Sequence, residues 1–131
     1  MATLTLKTIL MVEDEADIQM VAQLALESVG GFTVEICSSG QEAVQMAPEL
    51  APDLIILDVM MPGMDGLETF NALRAIPQLA NTPVIFMTAK VQPHEVVEYK
   101  ALGALDVISK PFDPMTLSET INAIWRQYHE Q

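Results

Sequence analysis

Short aliphatic runs recur along the chain, separated by longer stretches in which apolar residues return every three or four positions. Five runs stand out: Thr8–Val12, Phe32–Cys37, Leu54–Leu57, Val84–Met87 and Asp106–Ser109. Their length and aliphatic content suit strands covered on both faces. Between them, Ile18, Val21, Leu24 and Ala25 mark one helical face, and Ala43, Val44, Ala47 and Leu50 a second. Leu67, Phe70, Leu73 and Arg74 predict a third helix after the Asp65-Gly66 turn signal. Pro93 suits the first turn of a fourth, which Gly103 ends. Asp113-Pro114 opens a fifth, with Leu117, Ile121, Ile124 and Tyr128 as its seam.

The order is strand then helix, five times over. Such alternation predicts an α/β fold, a doubly wound parallel sheet with helices on both faces and right-handed crossovers. In these sheets the functional crevice lies outside the carboxyl ends of the strands, where the strand order reverses.

What stands at those ends changes the picture from architecture to chemistry. Residues 54–66 read LIILDVMMPGMDG, a buried-looking run that stops on a carboxylate. The first strand leads into Glu13-Asp14, the third ends at Asp58, the fourth at Thr88 and the fifth at Lys110. A parallel sheet gathers all five side chains at one edge. Three carboxylates so placed repel one another, and bare they are costly in a partly desolvated crevice. A hard divalent cation relieves that repulsion, and Mg²⁺ accepts one or two carboxylates while keeping waters and room for phosphate oxygens. The lysine and the hydroxyl add charge and a donor for a further anionic group. These are the parts needed to take a phosphoryl group onto aspartate, a transfer governed by positioning and charge neutralisation. An ionised Asp58 is already a nucleophile and needs no general base.

Composition narrows the setting. The 131 residues suffice for about one domain, expected to span 1–131 with a core over about 6–129 and no output domain. Half are hydrophobic and 18% charged, as in a folded globular chain. The net charge of −12, with no basic cluster, disfavours direct nucleic-acid binding and anionic membrane surfaces. No apolar stretch has the length of a membrane span, so no membrane insertion is expected. The single cysteine, Cys37, lies in an apolar stretch, reads as a buried inert thiol and fits a reducing cytoplasm.

At ILMVEDEAD, LIILDVMMPGMDG, PVIFMTAK, Gly103-Ala104 and the KPF of Lys110–Phe112, the chain resembles the receiver domain of two-component response regulators, over nearly its whole length. The resemblance implies a flavodoxin-like (βα)₅ fold with strand order 2-1-3-4-5. It implies that Asp58 is the phosphoacceptor, Asp14 a direct Mg²⁺ ligand, Glu13 a ligand through water, and the Met60 backbone carbonyl a further ligand. Thr88 is then expected to contact the phosphoryl oxygens and Lys110 to pair with them, aimed by a cis Lys110-Pro111 bond. The implied partners are a sensor histidine kinase or phosphotransfer protein and a downstream protein on the face of the fourth helix, fifth strand and fifth helix. Exposed residues there, such as Tyr99 and Arg126, are candidate contacts.

Three positions qualify the resemblance. Relatives often carry an aromatic ring at the position of Val107, and valine has no ring to swing, so phosphorylation is expected to shift a smaller equilibrium here. Met60 and Lys90 occupy places that tune phosphoryl lifetime. Met60 brings no polar atom to orient water, which predicts a long-lived phosphate, while Lys90 reads as a solvated loop charge. Trp125 and Tyr128 read as partly buried packing at the helix seam, and His94 and His129 as exposed residues without a companion at metal-ligand spacing.

Competing functions are weaker. A phosphatase of the haloacid-dehalogenase type needs a second aspartate two residues after the nucleophile, where Met60 stands. A flavin carrier needs a polar, uncharged phosphate loop where this chain has EDEAD. A pseudo-receiver that binds partners without phosphorylation usually lacks one of the five key groups, all present here.

Overall fold

The computed structural model describes residues 5–89 and 92–130. Its strands are β1 (Thr8–Val12), β2 (Thr33–Cys37), β3 (Leu54–Asp58), β4 (Val84–Thr88) and β5 (Asp106–Ser109). Its helices are α1 (Ala16–Leu24, continued by a π-helical turn over Ala25–Val29), α2 (Gly40–Leu50), α3 (Gly66–Arg74), α4 (Pro93–Leu102) and α5 (Leu117–Glu130). The strands pair in parallel in the order β2-β1-β3-β4-β5, the flavodoxin-like order expected. The order reverses between β1 and β3, which opens a crevice at their carboxyl ends.

Alternation along each central strand divides the core into two layers. Ile9, Met11, Leu54, Ile56, Ile85 and Met87 face α1 and α5, where Leu26, Leu117 and Ile121 meet them. Leu10, Val12, Ile55, Leu57, Val84 and Phe86 face the other way, onto Ala43, Ala47, Phe70 and Leu73 of α2 and α3. Every residue of β3 and β4 is buried. That explains why those two strands are unbroken aliphatic runs until their last, polar residue. Cys37 is buried, as expected, and burial pushes its thiol up to about 12, far from a reactive thiolate.

Helix termini follow their sequence signals. Asp65 and Glu68 form a reciprocal capping box at the start of α3. Pro93 sits in the first turn of α4, and Gly103 closes that helix with φ 118°.

Four expectations need correction. On α1, Val21 and Leu24 are 40% and 60% exposed, and the inward set is Ala22, Ala25 and Leu26 with half-buried Ile18. On α5, Trp125 is buried at the core end of the seam, while Tyr128 leans on it from an exposed position. His129 is half-buried, its ring 4.3 Å from that of Trp125. Tyr99 is half-buried too, edge-on to Phe86 at 5.2 Å, because Val107, the register partner of Phe86, is too small to fill that space. His94 and Arg126 are exposed as expected, and Lys90 lies outside the described residues.

Candidate functional site

Glu13 follows β1 directly. Its N–H donates to the Cys37 carbonyl at 3.0 Å, so the position is tied to β2. The side chain is fully buried, with Oε2 accepting from the Glu15 N–H at 3.1 Å. Asp58 ends β3 and is 2% exposed, with Oδ1 accepting from the Met60 N–H at 3.1 Å. The loop beyond it is pinned by Val59 N–H to Met87 O and by Gly66 N–H to Val59 O, both 3.0 Å. A Cβ on Gly66 would stand 2.4 Å from the Asp58 carbonyl oxygen and 2.6 Å from Val59 Cα. Only glycine lets α3 start against the backbone of the acid.

Lys110 reaches the same point from β5. Its N–H donates to Thr88 O at 2.8 Å, and the Lys110-Pro111 bond is cis. The ammonium lies 3.2 Å from Asp58 Oδ2 and 3.2 Å from Glu13 Oε1. Thr88 is buried at the end of β4, one residue past Met87, the register partner of Asp58. It therefore stands at the same edge, and Ala89 after it lines the groove with Asp58 and Lys110.

Carboxylate oxygens of Glu13, Asp14 and Asp58 all lie within 4.8 Å of one another. Burial, reinforced by the Asp58 charge, pushes Glu13 up to about 7 against the opposing pull of the Glu15 N–H and Lys110. For Lys110 burial alone would weaken the ammonium, but bonding and attraction to Asp58 and Glu13 outweigh it and raise its pKa. Asp14 Oδ1 is buried and accepts no hydrogen bond, whereas Asp58 Oδ2 is paired with the Lys110 ammonium at 3.2 Å. A buried acceptor such as Asp14 Oδ1 needs a cation or a donor, and the hard oxygens of three clustered carboxylates fit a Mg²⁺-sized ion.

Glu13, Asp14, Asp58 and Lys110 come together by their distances, Thr88 stands at the same edge, and Met60 is tied to Asp58 through its N–H rather than through the carbonyl expected as a ligand. Two features were not anticipated. Gln19 Nε2 donates to the Glu13 carbonyl at 2.6 Å and to Ser38 Oγ at 3.1 Å, lacing α1 and the loop after β2 to the acid. A lone glutamine on a polar helix face carries no sequence mark of that task. The other is an apolar shelf along the groove, where Ile18, Val21, Met60, Pro111 and Phe112 adjoin Asp58.

The family model described as "Response regulator receiver domain" matches residues 9–122. The alkaline phosphatase synthesis transcriptional regulatory protein PhoP of Bacillus subtilis is 40% identical over 121 residues, covering 92% of this chain and 49% of PhoP. The phosphate regulon transcriptional regulatory protein PhoB of Pseudomonas aeruginosa is 36% identical, covering 92% of this chain and 52% of PhoB. The chain thus spans about half the length of these curated relatives. Among solved structures, the chemotaxis response regulator CheY4 of Vibrio cholerae superposes with a TM-score of 0.83 at 35% identity, covering 92% of this chain and 99% of CheY4.

Proposed function

Because the chain belongs to the response regulator receiver domain family, we propose that it works as a phosphorylation-controlled signalling protein with Asp58 as its phosphoacceptor. The observation that carries this reading is convergence: three carboxylates within 4.8 Å, a buried Asp14 oxygen without a hydrogen bond, and a lysine 3.2 Å from the proposed acceptor. Asp14 and Asp58 would hold Mg²⁺ directly, with the Met60 carbonyl as a further ligand. Glu13, whose two oxygens are engaged by Glu15 and Lys110, would act through water. When bound, Mg²⁺ supplies the charge neutralisation that lets a phosphoryl group approach three acids.

The chain's own residues do the rest. The Met60 N–H fixes one Asp58 oxygen, and the other, paired with the Lys110 ammonium, attacks phosphorus. Lys110 meets the incoming charge, and the Thr88 hydroxyl donates to a phosphoryl oxygen. No base is required, since the acceptor is already a carboxylate. This is self-modification rather than turnover of external esters, and Met60 has no carboxyl to protonate a leaving group.

The donor would be the phosphohistidine of a sensor kinase or phosphotransfer protein. The downstream partner would be a protein docking on α4, β5 and α5. Its support is that no residue of α4 is buried and that Val97 and Leu102 stand exposed there. The transcriptional regulation named for the longer relatives is not carried over, and the chain's charge of −12 opposes direct nucleic-acid contact. Among the described residues no helix is long and apolar enough to cross a membrane. We place the receiver in the cytoplasm, beside its proposed phosphoryl donor.

Incubation with Mg²⁺ and acetyl phosphate tests the reading. A mass gain of one phosphoryl group, abolished by Asp58→Ala and by EDTA, is expected. No gain would favour a scaffold that acts without phosphorylation.

A further inference from the structure

The groove that contains Asp58 and Lys110 encloses about 540 Å³, within the range of about 300–1,000 Å³ typical of small-molecule sites. Beside the acceptor, its lining includes an apolar shelf of Ile18, Val21, Met60, Pro111 and Phe112. Ile18 and Phe112 pack against the core layer under α1 and α5, so the shelf is held in place from behind. Its outer edge is wet: Met60 is 73% exposed and Val21 40%. An apolar surface of this kind gains by covering, and the acceptor stands at its end.

We propose that this shelf binds the apolar body of small acyl phosphates, making branched and arylalkyl acyl phosphates better phosphoryl donors to Asp58 than acetyl phosphate. The inference rests on the phosphoacceptor reading and adds a donor class to it. A carboxylate oxygen of Asp58 attacks phosphorus, the bond from phosphorus to the donor's acyl oxygen breaks, and the donor's carboxylate leaves with the electron pair. No proton moves. One mixed anhydride replaces another, so the step is close to balanced, whereas a phosphomonoester would have to transfer uphill. Glu15 and Asp17 also border the groove. Their charge repels every anionic donor alike, and the contact with the shelf therefore decides the ranking. Each methylene that leaves water is worth about fourfold in binding, and a partly open shelf yields a fraction of that.

The full chain with Mg²⁺ would be given acetyl, isovaleryl and 3-phenylpropanoyl phosphates, whose parent acids have similar acidity. Labelling rate at limiting donor should rise roughly tenfold from acetyl to isovaleryl and further with the phenyl group. Val21→Ser, at an exposed helix position, should erase much of that rise. In parallel, the non-transferable 3-phenylpropylphosphonate should shift the methyl resonances of Ile18, Val21 and Met60. Equal rates across the series, or rates that fall with size, overturn the inference, as does a phosphonate titration that leaves those methyls unmoved. If no donor labels Asp58, the phosphoacceptor reading fails instead, and the phosphonate shifts alone decide whether the shelf binds such ligands.

Discussion

Asp58 Oδ2 and Lys110 Nζ stand 3.2 Å apart at the ends of two strands that do not touch. The same ammonium bonds Glu13, 97 residues away in sequence. Lys110 is thus the cation that offsets a cluster of acids, and its side chain is only 13% exposed. Removing one partner of a buried pair leaves the other charges uncompensated, which costs roughly 3 kcal/mol or more. We expect Lys110→Met to lower the urea midpoint at neutral pH in EDTA. Mg²⁺ should restore stability more in the variant than in the parent, while phosphorylation slows. An unchanged midpoint would mean that the acids are neutralised some other way.

The pH dependence follows from Glu13, whose carboxyl rises from 4.5 to about 7 on folding. A raised folded-state value means the folded protein holds the proton more tightly than the unfolded chain. The associated stability is fully present below about 4.5 and is lost as pH rises through about 7. We expect a loss on the order of 2–3 kcal/mol between pH 5 and 8 in EDTA. Glu13→Gln, which cannot ionise, should flatten that slope. With saturating Mg²⁺ the trend should reverse, because cation binding favours the ionised acids. Urea titrations across pH, with and without metal, measure all three curves.

Much of this was legible because a parallel sheet converts sequence order into spatial assembly. Asp58, Thr88 and Lys110 each follow an aliphatic run, and runs buried on both faces leave few alternatives to a strand. What was not legible depends on side-chain size at close contacts. Val21 and Leu24 look like core residues by hydrophobicity, yet Ala22, Ala25 and Leu26 take the inward positions. Tyr99 faces inward for a neighbouring reason: a deficit at Val107, which lies in another element, decides its direction. Gln19 likewise acts on a backbone carbonyl, and no pattern of residue types encodes such a bond.

Gly66 tests the coupling between a turn and the acceptor. A methyl group at this position would press on the Asp58 carbonyl oxygen and on Val59 Cα, both backbone atoms with little room to yield. Overpacking of this kind typically costs about 1–3 kcal/mol, and here the shifted atoms belong to the phosphoacceptor. Gly66→Ala should therefore lower both stability and the rate of labelling by acetyl phosphate. Gly63→Ala serves as the contrast: its φ of 72° strains alanine, but a Cβ there meets nothing within 4 Å. That variant should lose stability and keep more of its labelling rate.

Tyr99 is the ring that fastens α4 to the sheet. No residue of that helix is fully buried, and Tyr99 meets Phe86 edge-on, with Phe86 in turn edge-on to Phe70 at 5.3 Å. An aromatic pair contributes about 0.5–1.5 kcal/mol beyond the area it buries, so Tyr99→Ala should loosen α4 more than the rest of the molecule. Amide exchange should speed up across Pro93–Leu102 while β1, β3 and β4 stay protected. The same packing bears on signalling. With Val107 beside Phe86, an inward ring is supplied by α4 rather than by β5. Phosphorylation of Asp58 should accordingly produce small amide shifts in β5. Val107→Tyr, by adding a second ring to the same space, should displace Tyr99 and enlarge the shifts in α4 on phosphorylation. Equal shifts in parent and variant would mean that α4 responds through its backbone alone.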